Sequence, residues 1–201
     1  MNIFSEILLN GKAGIKNAEF ADVLMSLKSR DIRPENVPDL IRIYKETKRI
    51  DFRNKILRLL YDHPYPELKS FFEMAYKKER YLDMKMYALR GLAQFSDEKE
   101  IEKLINKLKV TLAKREQSTP YNYQEYELLR GKNALPFLIE RYRYVSFIEL
   151  FTQVNEQYDR MPDAFKGHFT TDEYGEIISL RAVGESSKLI NAFFNKPDAK
   201  R

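Results

Sequence analysis

Cysteine and tryptophan are absent from this 201-residue sequence, and histidine occurs only twice. Without cysteine the chain has no disulfide and no thiolate metal site, which agrees with a reducing compartment. The two histidines, His63 and His168, are 105 positions apart and do not show the spacing of metal ligands. No serine lies in a recognisable nucleophile motif. The sequence therefore predicts no catalytic residue, no metal site and no cofactor.

Glycine and proline are also scarce, with 7 and 8 residues, too few for an all-β protein with many tight turns. Long hydrophobic runs are missing as well. The longest stretch without a charged residue is 117–124, and it is polar. The start of the chain lacks a basic segment and reaches Glu6 and Asn10 too early for a signal peptide. We therefore expect a cytoplasmic protein that does not enter a membrane.

The remaining composition is that of an ordinary globular protein, with 43% hydrophobic and 32% charged residues. The length suits a single domain over residues 1–201. The net charge is +5, from 35 basic and 30 acidic residues. This mild excess suits an acidic protein surface and a phosphate backbone equally well, so it does not choose between the two partners.

A repeat of 32 residues is the main organising feature of the sequence. Asp51 aligns with Asp83, Arg58 with Arg90, and the intervening apolar positions also match. A helix that begins with a proline precedes each copy, at Pro38 and at Pro66. Helix pairs that recur every 30–45 residues are typical of a stacked α-solenoid.

Helical periodicity predicts a chain of helices with few other elements. A short helix or arm is expected at 1–16 and a frayed tail at 196–201. The expected helices are 17–29, 39–48, 51–62, 67–80, 82–95, 98–114, 124–130, 134–142, 146–158, 171–180 and 185–194. Six leucines are expected in the core: Leu57, Leu60, Leu89, Leu92, Leu104 and Leu108. Gly91 lies inside a helix, where it costs about 1 kcal/mol relative to alanine, so we expect a facing helix to approach closely there.

The helix pairs over about 36–145 resemble HEAT repeats. The resemblance depends on an Asp-x-Lys/Arg start of the second helix, at Asp51/Arg53 and Asp83/Lys85, and on the Ala134-Leu-Pro-Phe-Leu opening of a later helix. It implies an all-α, right-handed solenoid with irregular terminal helices. It also implies hydrogen bonds between repeats from those Asp and basic residues. Such a fold provides a binding surface without specifying the ligand.

One alternative function is nucleic-acid binding. The chain is similar in length, basicity and helix-pair architecture to the HEAT-like alkylpurine DNA glycosylases. Those enzymes grip a damaged nucleotide with tryptophans and a catalytic acid, and tryptophan is absent here. Lys99, Lys103 and Lys107 project from one side of the helix over 98–114 and offer contacts to phosphates. A solvated helix face explains the same pattern.

The other function is protein binding. There are 13 tyrosines, and helical spacing does not demand burial of Tyr121, Tyr123, Tyr142, Tyr144 and Tyr158. Tyrosine and arginine anchor protein interfaces, and Arg141-Tyr142-Arg143-Tyr144 is their densest cluster. The predicted partner-binding residues are Arg141, Tyr142, Arg143, Tyr144, Tyr121, Tyr123, Lys99, Lys103 and Lys107. Packing between repeats is the alternative explanation of these aromatic residues.

In fold and size, the chain also resembles the HEAT-like immunity proteins that bacteria make against delivered toxins. That resemblance implies a non-catalytic protein that binds and neutralises a toxin domain, such as a nuclease toxin of a contact-dependent inhibition system. The positive charge would then suit an acidic patch on the toxin. We take this as the leading functional prediction, because it also accounts for the missing catalytic motif.

Overall fold

A computed structural model describes residues 18–114, 120–171 and 177–196. The expected arm or helix over 1–16 lies outside the described residues, and so do residues 197–201 of the expected tail. Among the described residues, no helix is both long and apolar enough to span a membrane.

The described residues form ten α-helices and one pair of short strands, so the fold is mostly helical, as the sequence predicts. The helices are α1 (Ala18–Ser26), α2 (Val37–Glu46), α3 (Ile50–Leu60), α4 (Leu68–Lys78), α5 (Leu82–Leu92), α6 (Glu98–Lys114), α7 (Pro120–Leu129), α8 (Leu135–Tyr142), α9 (Val145–Asp159) and α10 (Val183–Phe194). Apart from 1–16 and 171–180, every predicted helix is confirmed, with ends that differ by at most four residues.

The chain divides into two compact units. Unit 1 contains the described residues up to 80 together with 87–95, and unit 2 contains 81–86 and the described residues from 96 onward. The prediction of a single domain over 1–201 stays a prediction.

In unit 1, α3 packs against α1 and α2. Phe20 on α1 and Phe52 on α3 are fully buried, with ring centroids 5.8 Å apart. Pro38 lies in the first turn of α2, where its missing N–H leaves no helical hydrogen bond unmade. The apolar face of each helix is therefore buried against its neighbours.

At Gly91, α5 and α4 approach each other closely. A Cβ atom built on Gly91 would lie 2.3 Å from Cζ of Phe72, whose ring is fully buried. The predicted close approach is confirmed, and it explains why glycine is accepted inside α5.

A polar cluster closes the end of α4. Glu79 is 2% exposed and accepts two hydrogen bonds from Arg53, at 2.8 and 3.3 Å. The Tyr44 hydroxyl donates to the same carboxylate. Burial, reinforced by Glu79, raises the pKa of Tyr44, so the phenol remains a neutral donor. The two residues of the Asp-x-Arg start differ in their partners. Arg53 reaches Glu79, just past the end of α4, whereas Asp51 pairs with nearby Arg49.

Unit 2 is organised around α9, which packs against α6, α7 and α8. Phe147, Leu150 and Val154 of α9 are fully buried. On the facing side, α6 buries Ile101 and Ile105 along one stripe. The core of unit 2 therefore lies between α9 and the three helices that surround it.

The prediction of a helix over 171–180 is wrong at 171 and 177–180, and residues 172–176 lie outside the described residues. Phe169–Thr171 (β1) and Ile177–Ser179 (β2) form an antiparallel pair, with Thr170 opposite Ile178. The β-branched threonines and isoleucines of these strands favour extended backbone, because their branched side chains restrict χ1 in a helix. The prediction of a helix here overlooked this β-branched composition.

Five of the six leucines expected in the core are buried: Leu57, Leu60, Leu89, Leu92 and Leu108. Leu104 is only partly buried, so the prediction that it lies in the core is wrong. It lies at the edge of the α6 stripe, about 60° away from the middle of the buried side.

Candidate protein-binding surface

The basic face of α6 points away from the core of unit 2. Lys99, Lys103 and Lys107 are all exposed, as the helical spacing predicts. Val110 lies on the same face and is 53% exposed, an apolar side chain among cations. Glu100 and Glu102 are also exposed, but at about 100° per residue they fall on the two edges of the lysine stripe. The stripe is therefore basic along its centre.

The turn between α8 and α9 carries the second group of predicted residues. Arg143 has φ 56° and ψ 24°, the left-handed conformation that glycine usually supplies at this position. Its N–H donates to Ile139 O at 2.9 Å and so closes the end of α8. Arg141 and Arg143 are both exposed.

Tyr142 and Tyr144 are half-buried and give the turn its rigidity. The Tyr144 ring stacks on Phe147 with centroids 5.6 Å apart, and Tyr142 lies 5.7 Å from Tyr144. The Tyr144 hydroxyl donates to Ser96 O at 3.3 Å. Burial, aided by Glu98 and Asp97, raises the pKa of Tyr144, which keeps the phenol protonated. The two tyrosines therefore pack the turn and leave the two arginines pointing outward.

Hydrogen bonds hold this turn and α9 against α6. Val145 N donates to a carboxylate oxygen of Glu98 at 2.9 Å, and Lys109 pairs with Glu149 at 2.8 Å. Gln153 Nε2 donates to Lys109 O at 3.0 Å. The lysine stripe and the arginine turn therefore belong to adjoining helices of one unit, with Lys109, which faces α9, about 120° round α6 from the centre of the stripe.

Two apolar side chains at the start of α9 remain exposed beside the turn. Val145 is 60% exposed and Ile148 is 46% exposed. We call the whole patch the α6–α9 surface. It consists of Lys99, Lys103, Lys107, Val110, Arg141, Arg143, Val145 and Ile148. It combines exposed cations with apolar contact area, the composition that protein interfaces favour over a purely solvated face. The sequence pattern did not single out the three aliphatic members, since aliphatic residues are common in and beside helices.

Two of the tyrosines whose burial helical spacing does not demand are buried, as the packing explanation of these residues requires. Tyr123 is 7% exposed and stacks on Phe165, with ring centroids 5.0 Å apart. Tyr158 is 8% exposed, with the Arg130 guanidinium 3.9 Å from its ring centroid. The side chain of Tyr121 lies outside the described residues.

His63 and Ser29 come together in unit 1 without forming a nucleophile–base pair. His63 Nε2 lies 2.9 Å from Ser29 O, a carbonyl that only accepts, so this nitrogen carries the proton. It therefore has no lone pair for the Ser29 hydroxyl, 3.2 Å away, which donates instead to Leu59 O at 2.9 Å. The pair fastens the 3-10 turn at Ser29–Asp31 to the end of α3.

Within the part of the chain that the structure describes, no group of three or more His, Asp and Glu side chains is arranged to hold a metal ion. Comparisons of the chain with protein-family models, with curated proteins and with solved structures found no match.

Proposed function

We propose that this protein binds another protein through the α6–α9 surface and acts as an immunity protein that neutralises a toxin domain in the bacterial cytoplasm. The observation that carries the proposal is the combination of exposed lysines, exposed arginines and exposed aliphatic side chains on adjoining helices of one unit. Neutralisation here requires only that the bound protein cover the toxin's active site.

The backbone at Arg143 supports a binding role. A non-glycine residue in the left-handed region costs roughly 1–2 kcal/mol. Glycine would close α8 at lower cost, and an exposed arginine gains little from packing in the free protein. Strained residues that persist at exposed turns are typical of binding sites. An anchor that pairs with a carboxylate of the partner accounts for arginine at this position.

The same surface favours protein over nucleic acid. The exposed face of α9 carries Glu156 and Asp159, whose charges repel phosphates, and Glu149, which pairs with Lys109. A protein partner can present an acidic patch to the lysine stripe and a basic or apolar rim to the exposed face of α9, and so fits both faces. Nucleic-acid binding of the kind seen in HEAT-like glycosylases is the second candidate, and the lysine stripe is the structural feature that favours it.

We also propose that the helices form a right-handed, HEAT-like stack. The 32-residue repeat supports this arrangement, and so does the close packing of α5 on α4 at Gly91. A stack of this kind provides the extended surface needed to bury at least about 1,200 Å² in a specific complex.

The proposal is tested with the purified protein as bait in a lysate of its source organism. We expect one small protein to be retained in about 200 mM salt, and its toxicity in a heterologous host to be relieved by co-expression of this chain. The double variant Lys103→Glu plus Lys107→Glu should lose both effects. Lys28→Glu plus Lys77→Glu is the matched control, because both lysines are exposed and belong to unit 1.

Retention of nucleic acid alone would contradict the proposal in favour of the second candidate. In that case binding should weaken steeply between about 50 and 200 mM salt, and it should depend on the same two lysines.

A further inference from the structure

Helix α10 is the least buried helix of unit 2. None of its described side chains is buried, although it contains Leu189, Ile190, Phe193 and Phe194. Its inward contacts are made by the last two of these, whose rings lie 4.8 and 5.6 Å from Phe165. Leu189 remains 37% exposed and Phe194 51% exposed. A twelve-residue helix that covers so little apolar area gains little stability from unit 2 alone.

One exposed face of α10 has a self-complementary order of side chains. Glu185, Leu189, Ala192 and Lys196 follow at spacings of four, three and four residues. At about 100° per residue the first three lie within roughly 60° of each other on the helix. Lys196 follows just past the end of α10, in a turn where Asn195 N donates to Asn191 O at 3.0 Å and Lys196 N to Phe193 O at 3.4 Å. In chain order, the stripe therefore presents an acidic side chain, a large apolar one, a small apolar one and a basic one.

We propose that two copies of this chain associate through α10, packed as an antiparallel pair about a two-fold axis between positions 190 and 191. The two-fold axis sets Glu185 of one copy against Lys196 of the other, and Leu189 against Ala192, because the spacing is the same when read from either end. Each contact occurs twice, as an isologous interface requires. Large residues face small ones, so the helices approach closely along the stripe.

The predicted contact is small. Three turns of helix on each side bury less than the roughly 1,200 Å² of a standard interface, so the dimer should be weak and depend on concentration. This surface is separate from the α6–α9 surface, and the inference does not depend on the proposed function.

Sedimentation velocity over a wide range of protein concentrations tests the inference. The native chain should change from monomer to dimer, with a dissociation constant in about the micromolar range or weaker. Glu185→Lys alone and Lys196→Glu alone should each weaken the dimer by about tenfold or more, because like charges then meet twice. The control Asn191→Lys adds a charge on the same helix, about 100° or more round it from Glu185, Leu189 and Ala192, and should leave the dimer unchanged.

Charge exchange gives the decisive comparison. The chain with both Glu185→Lys and Lys196→Glu should dimerise like the native chain, and an equal mixture of the two single variants should form mixed dimers. A native chain that stays monomeric at all concentrations overturns the inference. A dimer that neither single variant weakens, or that the double variant fails to restore, also overturns it.

Discussion

Gly91 shows how one residue sets the distance between two helices. Alanine is the better helix former by about 1 kcal/mol, so propensity alone favours Gly91→Ala. The added methyl would instead meet the buried Phe72 ring at 2.3 Å. We expect a net loss of about 1–3 kcal/mol in the free energy of unfolding, measured by urea denaturation. Gly184→Ala is the control: nothing lies within 4 Å of its new Cβ, so the change should be neutral or slightly stabilising.

Arg143 allows the opposite test, in which a change should stabilise the fold. Arg143→Gly removes the left-handed strain and should raise the unfolding free energy by roughly 1 kcal/mol, while it weakens binding of the protein partner. Arg143→Val should destabilise the protein, since a β-branched residue resists that conformation. Thermal unfolding measures both effects. An Arg143→Gly chain that is both less stable and fully active in binding would contradict this role.

Buried tyrosines make stability sensitive to alkaline pH. Burial, with the nearby charge of Glu127, raises the pKa of Tyr158 to about 12, against about 10 for an unfolded tyrosine. The folded state therefore holds its proton after the unfolded state has lost it. The stabilisation is complete below pH about 10 and is lost as pH rises through the folded pKa.

We expect Tyr158→Phe to remove one late-titrating phenol from an absorbance titration at 295 nm, and to reduce the fall in unfolding midpoint between pH 9 and 11. Native protein in which every phenol titrates with the unfolded chain near pH 10 would contradict this expectation.

At the scale of the element, the helices of unit 1 and α6 could be predicted from apolar periodicity and proline placement. The hairpin of β1 and β2 could not be predicted on that basis, because three-residue strands are too short to show an alternating pattern. β-Branched residues around Gly175 were the available signal. The burial of Tyr123 and Tyr158 could not be predicted for a different reason: it depends on Phe165 and Arg130, which are distant in sequence.

The periodicity of the helices makes a quantitative prediction about their cores. Leu60 is fully buried on α3, so Leu60→Ala should cost about 2–5 kcal/mol in the free energy of unfolding. Leu104→Ala, on the partly exposed edge of α6, should cost clearly less, because its site is already partly solvated. Chemical denaturation of the two variants provides the comparison. Equal costs, or a cost within 0.5 kcal/mol at Leu60, would contradict the assigned register of the helices.

At the scale of the whole molecule, the candidate surface could be predicted only in part. The lysine stripe follows from α6 alone, and Arg141 and Arg143 follow from local sequence. That the lysines and the arginines lie on adjoining helices depends on the contacts between α6 and α9, which join residues about 40 to 47 positions apart. No local pattern reports contacts over that separation.

The most direct test of the central claim is the affinity for the captured partner, measured by calorimetry at about 50 and 200 mM salt for three forms of the chain. The native protein and the Lys28→Glu plus Lys77→Glu control should bind alike at both salt concentrations. The Lys103→Glu plus Lys107→Glu variant should bind at least about tenfold more weakly at both, with its unfolding midpoint unchanged. Equal affinity of all three forms would contradict the claim that the α6–α9 surface is the binding site.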